Sequence, residues 1–316
     1  ALGINMPART VVLEKLVKFN GETHAELTPG EYTQLTGRAG RRGIDVEGHE
    51  VTVDRIDGSS FRLGYDYLVV GAGMRTAYRG NEAFAEFAPG MKTLDDALSI
   101  RRKIMAAFEM AETITDPEEQ RSWLTFAVAG GGPTGVELAG QIREVATLAL
   151  EREFDAIDPA QARVLLLHGG DRVLPSFSTR LSASAQRTLD NLGVETHLGV
   201  HVTGVGEDHV ETTRKADGTK NVYPARTTLW TTGVEAVPFA TTLARSLGVE
   251  QDRGGRIPVE DDLSVPGHPD IFVCGDMSSY RDLPGVAEVA MQGGRHAGAV
   301  IAETVAGQQE RTPFKY

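Results

Sequence analysis

The feature that most constrains the fold is a glycine-rich turn between an apolar run and an amphipathic stretch, at residues 126–140. The turn places Gly130, Gly132 and Gly135 in the spacing Gly-x-Gly-x-x-Gly. In a strand–turn–helix, the first glycine permits the turn, the second lets the backbone approach a pyrophosphate, and the third lets the helix pack close to the strand. The helix N-terminus then receives the negative charge. The pattern predicts a dinucleotide-binding unit rather than a glycine-rich turn that binds nothing, because all three glycines fall in register.

Composition excludes several classes of protein. The 316 residues allow two domains of ordinary size. A net charge of -12, from 32 basic and 44 acidic residues, argues against a general nucleic-acid surface. The one cysteine, Cys274, excludes an internal disulfide, a Cys-x-x-Cys pair and a cysteine zinc site. The eight histidines show no metal-ligand spacing, so we expect no metal. No apolar run reaches transmembrane length, and no signal peptide is expected.

Two periodicities alternate along the chain after residue 50. Short apolar runs predict strands at residues 51–53, 60–63, 67–70, 125–129, 163–167, 195–198, 200–205, 210–213, 228–231 and 271–274. Helical spacing predicts helices over the glycine fingerprint segment and over residues 93–115, 182–192 and 286 onward. The runs between residues 195 and 213 suggest a small antiparallel meander. The alternation predicts an α/β protein with a mainly parallel sheet.

Seven motifs between residues 51 and 316 occur in the order that one family of flavoenzymes shows. They are the glycine fingerprint and residues 65–73, 107–112, 173–177, 229–234, 271–276 and 287–294. In this order they resemble the type II NADH dehydrogenases, single-subunit flavoenzymes that pass electrons from NADH to quinone. The resemblance implies two dinucleotide-binding folds, one for FAD and one inserted for NADH.

Residues 1–50 resemble a different family. Residues 1–10 and 34–43 are similar to the fifth and sixth motifs of superkiller-type superfamily 2 RNA helicases. In such helicases Arg38 and Arg41, in the motif that begins at Gln34, would neutralise ATP phosphates. The sequence contains no Gly-x-x-x-x-Gly-Lys-Ser/Thr loop to hold ATP, so an arginine-bearing turn on a solvated surface is the favoured interpretation of these residues.

The two resemblances together predict a chimeric chain joined near Glu50. We expect a helicase-like fragment at 1–50, a partial FAD-binding domain at 51–120, an NAD(P)H-binding domain at 121–235, and the second part of the FAD-binding domain at 236–316. A complete type II dehydrogenase has a second fingerprint for FAD, and this chain has only the NADH one. We therefore expect a two-dinucleotide-binding flavoprotein fold with an incomplete FAD domain and a complete inserted NADH domain. The family's C-terminal region is expected to be missing, and the chain to be a fragment.

The resemblance implies a set of NADH-binding residues: Gly130, Gly132, Thr134, Gly135, Glu137, His168 and Gly233. Glu137 is expected on the first turn of the fingerprint helix, facing the nicotinamide–flavin contact as a catalytic carboxylate. The alternative is an acidic first-turn residue that favours the helix dipole. His168 stands where an acid normally accepts from the NAD ribose hydroxyls, so NADPH is not excluded, and Asp171 is a nearby substitute.

Further implied sites concern FAD and quinone. The FAD set is Ala72, Gly73, Gly275 and Asp276. Asp276 would accept hydrogen bonds from the FAD ribityl hydroxyls, although a Gly-Asp pair after a strand is often only a turn or a helix cap. The quinone set is Ala287, Glu288 and Gln292, in which Gln292 would bond a quinone carbonyl and be catalytic. Cys274 is expected to be a small buried hydrophobe.

The leading hypothesis is an FAD-dependent, non-proton-pumping NADH:quinone oxidoreductase. One alternative is a flavoprotein disulfide reductase, against which the missing Cys-x-x-Cys pair counts. Others are an ATP-dependent RNA helicase, supported by residues 1–50 alone, and an inactive fused fragment. The family implies a homodimer in peripheral contact with the inner, cytoplasmic face of the cell membrane, with quinone as substrate. Nucleic acid is not an expected partner.

Overall fold

The structure is a computed structural model that describes residues 10–13, 17–19, 24–26, 49–55, 57–281 and 283–316. The strands are β1 (Thr10–Leu13), β2 (Val17–Phe19), β3 (His24–Glu26), β4 (His49–Asp54), β5 (Ser60–Tyr65), β6 (Tyr67–Val70), β7 (Met74–Thr76), β8 (Thr125–Ala129), β9 (Arg163–His168), β10 (Val194–Leu198), β11 (Val200–Val205), β12 (His209–Arg214), β13 (Lys220–Pro224), β14 (Thr227–Trp230), β15 (Val234–Ala236), β16 (Ile257–Pro258), β17 (Ser264–Val265), β18 (His268–Val273) and β19 (Ser278–Ser279). The α-helices are α1 (Leu94–Thr113), α2 (Pro117–Trp123), α3 (Pro133–Glu144), α4 (Thr179–Leu192), α5 (Pro238–Leu247) and α6 (Ala287–Val305).

The chain divides into two compact units. One, which we call the inserted unit, is Arg75–Val234; the other, the flanking unit, combines Ala1–Met74 with Glu235–Tyr316. Gly73 and Gly233 lie next to the two points where the chain passes from one unit to the other, and both have positive φ angles, of 71° and 87°. The four domain ranges expected from the sequence remain a prediction.

The inserted unit is built on a parallel sheet in the order β10-β9-β8-β14. Helix α3 connects β8 to β9, and α4 connects β9 to β10, as in one half of a doubly wound dinucleotide-binding fold. The antiparallel meander β11-β12-β13 precedes β14. This arrangement confirms the α/β class expected from the alternating periodicities.

The two faces of this sheet bury different partners because side chains alternate along a strand. Phe126, Val128 and Leu166 belong to a core with residues of α1, α3 and α4. Ala127 and Leu165 belong to a second cluster with residues of the meander. Since both faces are covered, β8 is buried at every position, which explains its continuous apolar sequence.

The helix boundaries follow from local chemistry. Thr93 and Asp96 form a capping box at the start of α1, which the sequence predicted over 93–115. Ser178 caps α4, which begins at Thr179, three residues before the predicted start at 182, and Gly193, at φ 80°, ends it as expected. The short α2 was not predicted, although Asp116 accepts hydrogen bonds from two backbone N–H groups at its start.

The flanking unit has a sheet in the order β1-β6-β18-β17, in which β1, β6 and β18 are parallel. Leu68 and Ile271 point to a cluster shared with α5, while Val69 and Phe272 point to one shared with α6. Strand β1 lies within the helicase-like segment and pairs with β6 from Thr10↔Tyr67 to Leu13↔Val70. The helicase-like residues Gln34, Arg38 and Arg41 lie outside the described residues.

Candidate dinucleotide site

The fingerprint turn is closed by contacts that require glycine at two positions. Gly130 has a φ of 122°, and a Cβ built there would lie 2.7 Å from Thr231 Oγ1 and 2.8 Å from the Thr231 carbonyl carbon. A Cβ on Gly135 would overlap the Gly130 carbonyl oxygen and lie 2.6 Å from Thr231 Oγ1. The first glycine therefore permits the turn and the third permits close approach of α3, as the spacing predicts.

The second glycine meets different surroundings. Gly132 is the N-cap of α3 with an extended backbone, and a Cβ built there would meet no atom within 4 Å. Open space therefore lies in front of the first turn, which includes Thr134. The N–H groups of a first helical turn have no acceptor within the helix and carry the positive end of its dipole. This end of α3 fits the pyrophosphate of a dinucleotide.

Backbone hydrogen bonds hold the turn from both sides. The Gly130 N–H donates to the Leu167 carbonyl of β9 at 2.8 Å, and the Leu174 N–H donates to the Gly131 carbonyl at 2.7 Å. Thr231 Oγ1 donates to the carbonyls of Ala129 at 2.9 Å and Gly130 at 3.2 Å. Thr231 is a positioning residue that the sequence reasoning missed, and its only sequence signal is a hydroxyl at the end of the buried strand β14.

Glu137 lies one turn further along than expected. Because Gly132 caps α3 and Pro133 is its first residue, Glu137 is the fifth residue, and the first turn contains no acidic side chain. The expectation of a first-turn residue favouring the helix dipole is therefore wrong, since that electrostatic effect falls off beyond the first turn. Glu137 is exposed and lines an open groove between α3 and α4 with Gln141 and Phe177.

His168 ends β9 and is held against the fingerprint turn. Its Nδ1 accepts a hydrogen bond from the Gly131 N–H at 3.1 Å, so the proton of the neutral ring is on Nε2. A Cβ on Gly131 would lie 2.7 Å from the His168 Cγ, and one on Gly170 would lie 2.5 Å from the His168 Nε2. The ring is therefore packed between two glycines.

Electrostatics favour the uncharged form of this imidazole. Burial lowers the pKa of His168, and the nearby Lys215 lowers it further, which outweighs the opposite effects of the Arg172 backbone and the Asp171 carboxylate. His201 and Lys215 both approach the next residue: a Cβ on Gly169 would lie 3.1 Å from His201 Cε1 and 3.7 Å from Lys215 Cε. The meander thus brings two basic residues to the end of β9, which sequence spacing alone did not predict.

The end of β14 returns to the same turn. A Cβ on Gly130 would lie 2.8 Å from the Thr232 nitrogen, so the segment leading to Gly233 lies against the fingerprint. Gly233 itself contacts the segment after β7, since a Cβ there would lie 3.0 Å from the Ala77 carbonyl oxygen. The structure therefore brings most of the predicted NADH residues of this unit into or beside one loop cluster. The exception is Glu137, which lies on the groove between α3 and α4.

The residues expected to hold FAD lie in the flanking unit. Ala72 and Gly73 follow β6, and Gly275 and Asp276 follow β18, its neighbour in the sheet. Gly275 has a φ of 74°, and a Cβ there would lie 3.1 Å from the Ala290 Cβ of α6. Asp276 lines a pocket with Arg256, Ser278 and Tyr280.

The fit of FAD differs between its two ends. A carboxylate in a pocket beside a strand terminus suits the ribityl hydroxyls. A pyrophosphate would need a glycine turn after the first parallel strand. In the sequence, however, β1 is followed by Glu14, Lys15 and Leu16. The residues present therefore fit the flavin end of FAD but not its pyrophosphate.

Cys274 precedes this pair as a buried side chain. It is 6 % exposed and packs with Val69 and Phe272. Burial raises the pKa of its thiol to about 12, so the reactive thiolate is not formed near neutral pH. The expectation of a small buried hydrophobe is confirmed.

The residues expected at a quinone site begin α6. Ala287, Glu288 and Gln292 are all exposed, and Glu288 and Gln292 are one helical turn apart on the same face. They are accessible to a ligand, and their role stays a prediction. Within the described part of the chain, no group of three His, Cys, Asp or Glu side chains is placed to hold a metal ion. No helix in that part is long and apolar enough to span a membrane.

The parallel sheet, the glycine turn and the open helix N-terminus define an α/β dinucleotide-binding protein. Residues 2–294 match the pyridine nucleotide-disulphide oxidoreductase family, and the chain belongs to that family. Its homologues include the type II NADH:quinone oxidoreductase Ndh of Mycobacterium tuberculosis, which is 44% identical over 275 residues, or 86% of this chain and 59% of Ndh. The chain thus spans less than two thirds of the length of this curated relative.

Solved structures confirm the fold. The structure of NDH2 from Plasmodium falciparum in complex with NADH matches with a TM-score of 0.66 and 23% identity, covering 73% of this chain and 48% of that one. A further stretch of 53 residues, 17% of the chain, is 87% identical to the probable helicase HelY of Mycobacterium tuberculosis, of which it covers 6%. Both resemblances found in the sequence are therefore confirmed, and they are consistent with a chimeric chain.

Proposed function

We propose that the chain functions as a type II NADH:quinone oxidoreductase, with NADH bound by the inserted unit. The observation that carries the proposal is the fingerprint turn, in which Gly130 and Gly135 meet atoms that exclude a Cβ while Gly132 faces open space before a helix N-terminus. Homology to Ndh supports the reaction class, since Ndh is a type II NADH:quinone oxidoreductase.

In this proposal FAD, when bound, would supply the two-electron redox chemistry between NADH and a quinone. The protein's own work is to bind and orient. The first turn of α3, with Thr134, holds the pyrophosphate, and Gly233 lets the chain pass close to the dinucleotide. Glu137 orients the carboxamide or holds a proton near it. Asp276 would accept hydrogen bonds from the ribityl hydroxyls of bound FAD, and Gln292 would donate to a quinone carbonyl.

The proposal is tested by recording the flavin absorbance spectrum of the purified full-length chain before and after incubation with FAD. We expect NADH binding with substoichiometric FAD in the isolated protein, because the sequence offers no glycine cradle for the second pyrophosphate. Added FAD should then support NADH oxidation that depends on a water-soluble quinone. A colourless protein that cannot be reconstituted, yet binds NADH, would contradict the oxidoreductase proposal and favour an inactive dinucleotide-binding fragment.

A helicase function is the second candidate, because of the 87% identity to HelY over 53 residues. That stretch covers only 6% of HelY, and the sequence has no phosphate-binding loop of the Gly-x-x-x-x-Gly-Lys-Ser/Thr type. We therefore expect no RNA-stimulated ATP hydrolysis. Measured ATPase activity above that of a buffer control would revive this candidate.

The proposed partners rest on the family resemblance alone. A homodimer in peripheral contact with the cytoplasmic face of the cell membrane, with no nucleic-acid partner, is what the resemblance implies. Sedimentation of the purified chain, alone and with liposomes of anionic lipid, measures both properties.

A further inference from the structure

The acidic residue that usually selects NADH is replaced in this chain by a neutral ring. Strand β9 is the parallel neighbour of the fingerprint strand β8, so its last residue, His168, occupies the position that contacts the adenosine ribose in this fold. A carboxylate there accepts from the 2′-hydroxyl and repels a 2′-phosphate. His168 instead accepts the Gly131 N–H at 3.1 Å through Nδ1.

The packing of His168 prevents it from replacing that carboxylate. Its Nε2 is buried and faces the Gly170 backbone, since a Cβ on Gly170 would lie 2.5 Å from it. The ring therefore offers no acceptor to a ribose diol, because Nδ1 is already used and Nε2 carries the proton. The position is uncharged and does not repel an anion.

Basic side chains stand beside this position. Lys215 and His201 lie against Gly169, the residue after His168, at the 3.7 Å and 3.1 Å given above for a Cβ built there. Lys215 is exposed, and its backbone N–H is anchored to the Gly199 carbonyl at 2.8 Å. The Arg172 guanidinium is already engaged by the carbonyls of Phe177 at 3.0 Å and Pro175 at 2.7 Å. Lys215 is therefore the cation placed to meet an anion here.

From this arrangement we infer that the inserted unit accepts dinucleotides that carry a 2′-phosphate on the adenosine ribose, with Lys215 as the residue that contacts the phosphate. The inference rests on the proposed dinucleotide site and makes its ligand class specific: NADPH as well as NADH. The nearby acid Asp171 is exposed and acts on the pKa of His168 in the opposite direction to Lys215, so the expected preference for the phosphate is modest.

Two soluble probes that lack the nicotinamide test recognition of the 2′-phosphate separately from the redox reaction. Titration calorimetry on the full-length chain would compare ADP-ribose with 2′-phospho-ADP-ribose. We expect the phosphorylated probe to bind at least as tightly. Lys215→Met should weaken it by about tenfold and leave ADP-ribose unchanged, because only the charge-assisted contact is removed. Lys315→Met, which removes the same charge from the flanking unit, should change neither affinity.

His168→Glu is the converse variant. It restores a carboxylate at the end of β9 and should weaken the phosphorylated probe by about tenfold relative to ADP-ribose. A wild-type chain that prefers ADP-ribose by more than tenfold, or a Lys215→Met effect that is absent or equal for both probes, overturns the inference while leaving the proposed function intact. Failure of both probes to bind overturns the two together.

Discussion

Gly135 and Gly132 belong to one turn, but a side chain at each would meet different surroundings. A Cβ on Gly135 would overlap the Gly130 carbonyl oxygen, whereas a Cβ on Gly132 would enter open space. We expect Gly135→Ala to lower the free energy of unfolding by roughly 1–3 kcal/mol, since overpacking forces the backbone apart, and to abolish ADP-ribose binding. Gly132→Ala should keep the wild-type melting temperature and weaken only the binding of ADP-ribose. Thermal unfolding and calorimetry measure both, and equal melting temperatures for the two variants would refute the assignment.

Glu137 is the residue whose proposed role goes furthest beyond binding. It is exposed on the second turn of α3, beyond the part of the helix that contacts a pyrophosphate. Glu137→Gln should reduce quinone-dependent NADH turnover at least about tenfold, because one acid–base group typically contributes more than that to the rate. ADP-ribose affinity should be unchanged. Glu151→Gln, at an exposed position outside this groove, is the control and should be neutral; equal effects of the two variants would remove Glu137 from the mechanism.

Single residues also show how far sequence reasoning reaches. The roles of Gly130 and Gly135 were predictable because the glycine spacing encodes a turn whose contacts are local. The surroundings of His168 were not, since Lys215 and His201 reach it from a meander that begins some thirty residues later along the chain. The role of Thr231 was not predicted for the same reason, because its partners, Ala129 and Gly130, lie about a hundred residues earlier in the chain.

At the level of elements, the C-terminal segment is joined to β17 by a charged network. Arg311 donates to the Asp262 carboxylate at 2.9 Å and to the Pro269 carbonyl, and Ser264 donates to the same carboxylate. Burial alone would raise the pKa of Asp262, but these donors outweigh it and hold the pKa below its ordinary value. A carboxyl whose folded-state pKa is lowered stabilises the protein above its unfolded-state pKa, and that stability is lost as the pH falls through the folded-state pKa.

Asp262→Asn should therefore destabilise the chain by roughly 1–3 kcal/mol at neutral pH, because it leaves Arg311 without a charged partner. The difference from the wild type should shrink as the pH falls from about 4, the pKa of an unperturbed Asp, through the lower folded-state pKa, below which the wild-type carboxyl is protonated. Urea unfolding across this pH range measures the effect, with the exposed Glu151→Gln as control. A difference that is independent of pH would show that shape, not charge, is what Asp262 contributes.

The elements that sequence reasoning missed are the short ones. Helix α1 has twenty residues of continuous 3.6-residue spacing, so its apolar face was recognisable. Helices α2 and α5 have seven and ten residues, too few turns for a periodicity, and only Asp116 and the prolines at their first positions mark them. The π-helical turn Val145–Ala149 extends the fingerprint helix without any distinct sequence signal.

At the level of the whole molecule, the two units differ in how much of their fold depends on the chimeric join. The flanking sheet includes β1, which comes from the helicase-like segment. The inserted unit has three apolar clusters, and all of their members lie between residues 75 and 234. Every contact described for Gly130, Gly135 and His168 also lies inside that range. The dinucleotide site is therefore built by a part of the chain that lies entirely after the expected join near Glu50.

This organisation predicts that residues 75–234, expressed alone, form a folded dinucleotide-binding protein. The fragment should unfold cooperatively on heating, because its core is complete, and should bind ADP-ribose with a Kd within about threefold of that of the full-length chain. Circular dichroism and calorimetry provide the two measurements, and the same fragment with Gly135→Ala supplies a control that should not bind. A fragment that folds but has lost ADP-ribose binding would show that the flanking unit contributes to the site, and the pyrophosphate would then have to be held by more than the first turn of α3.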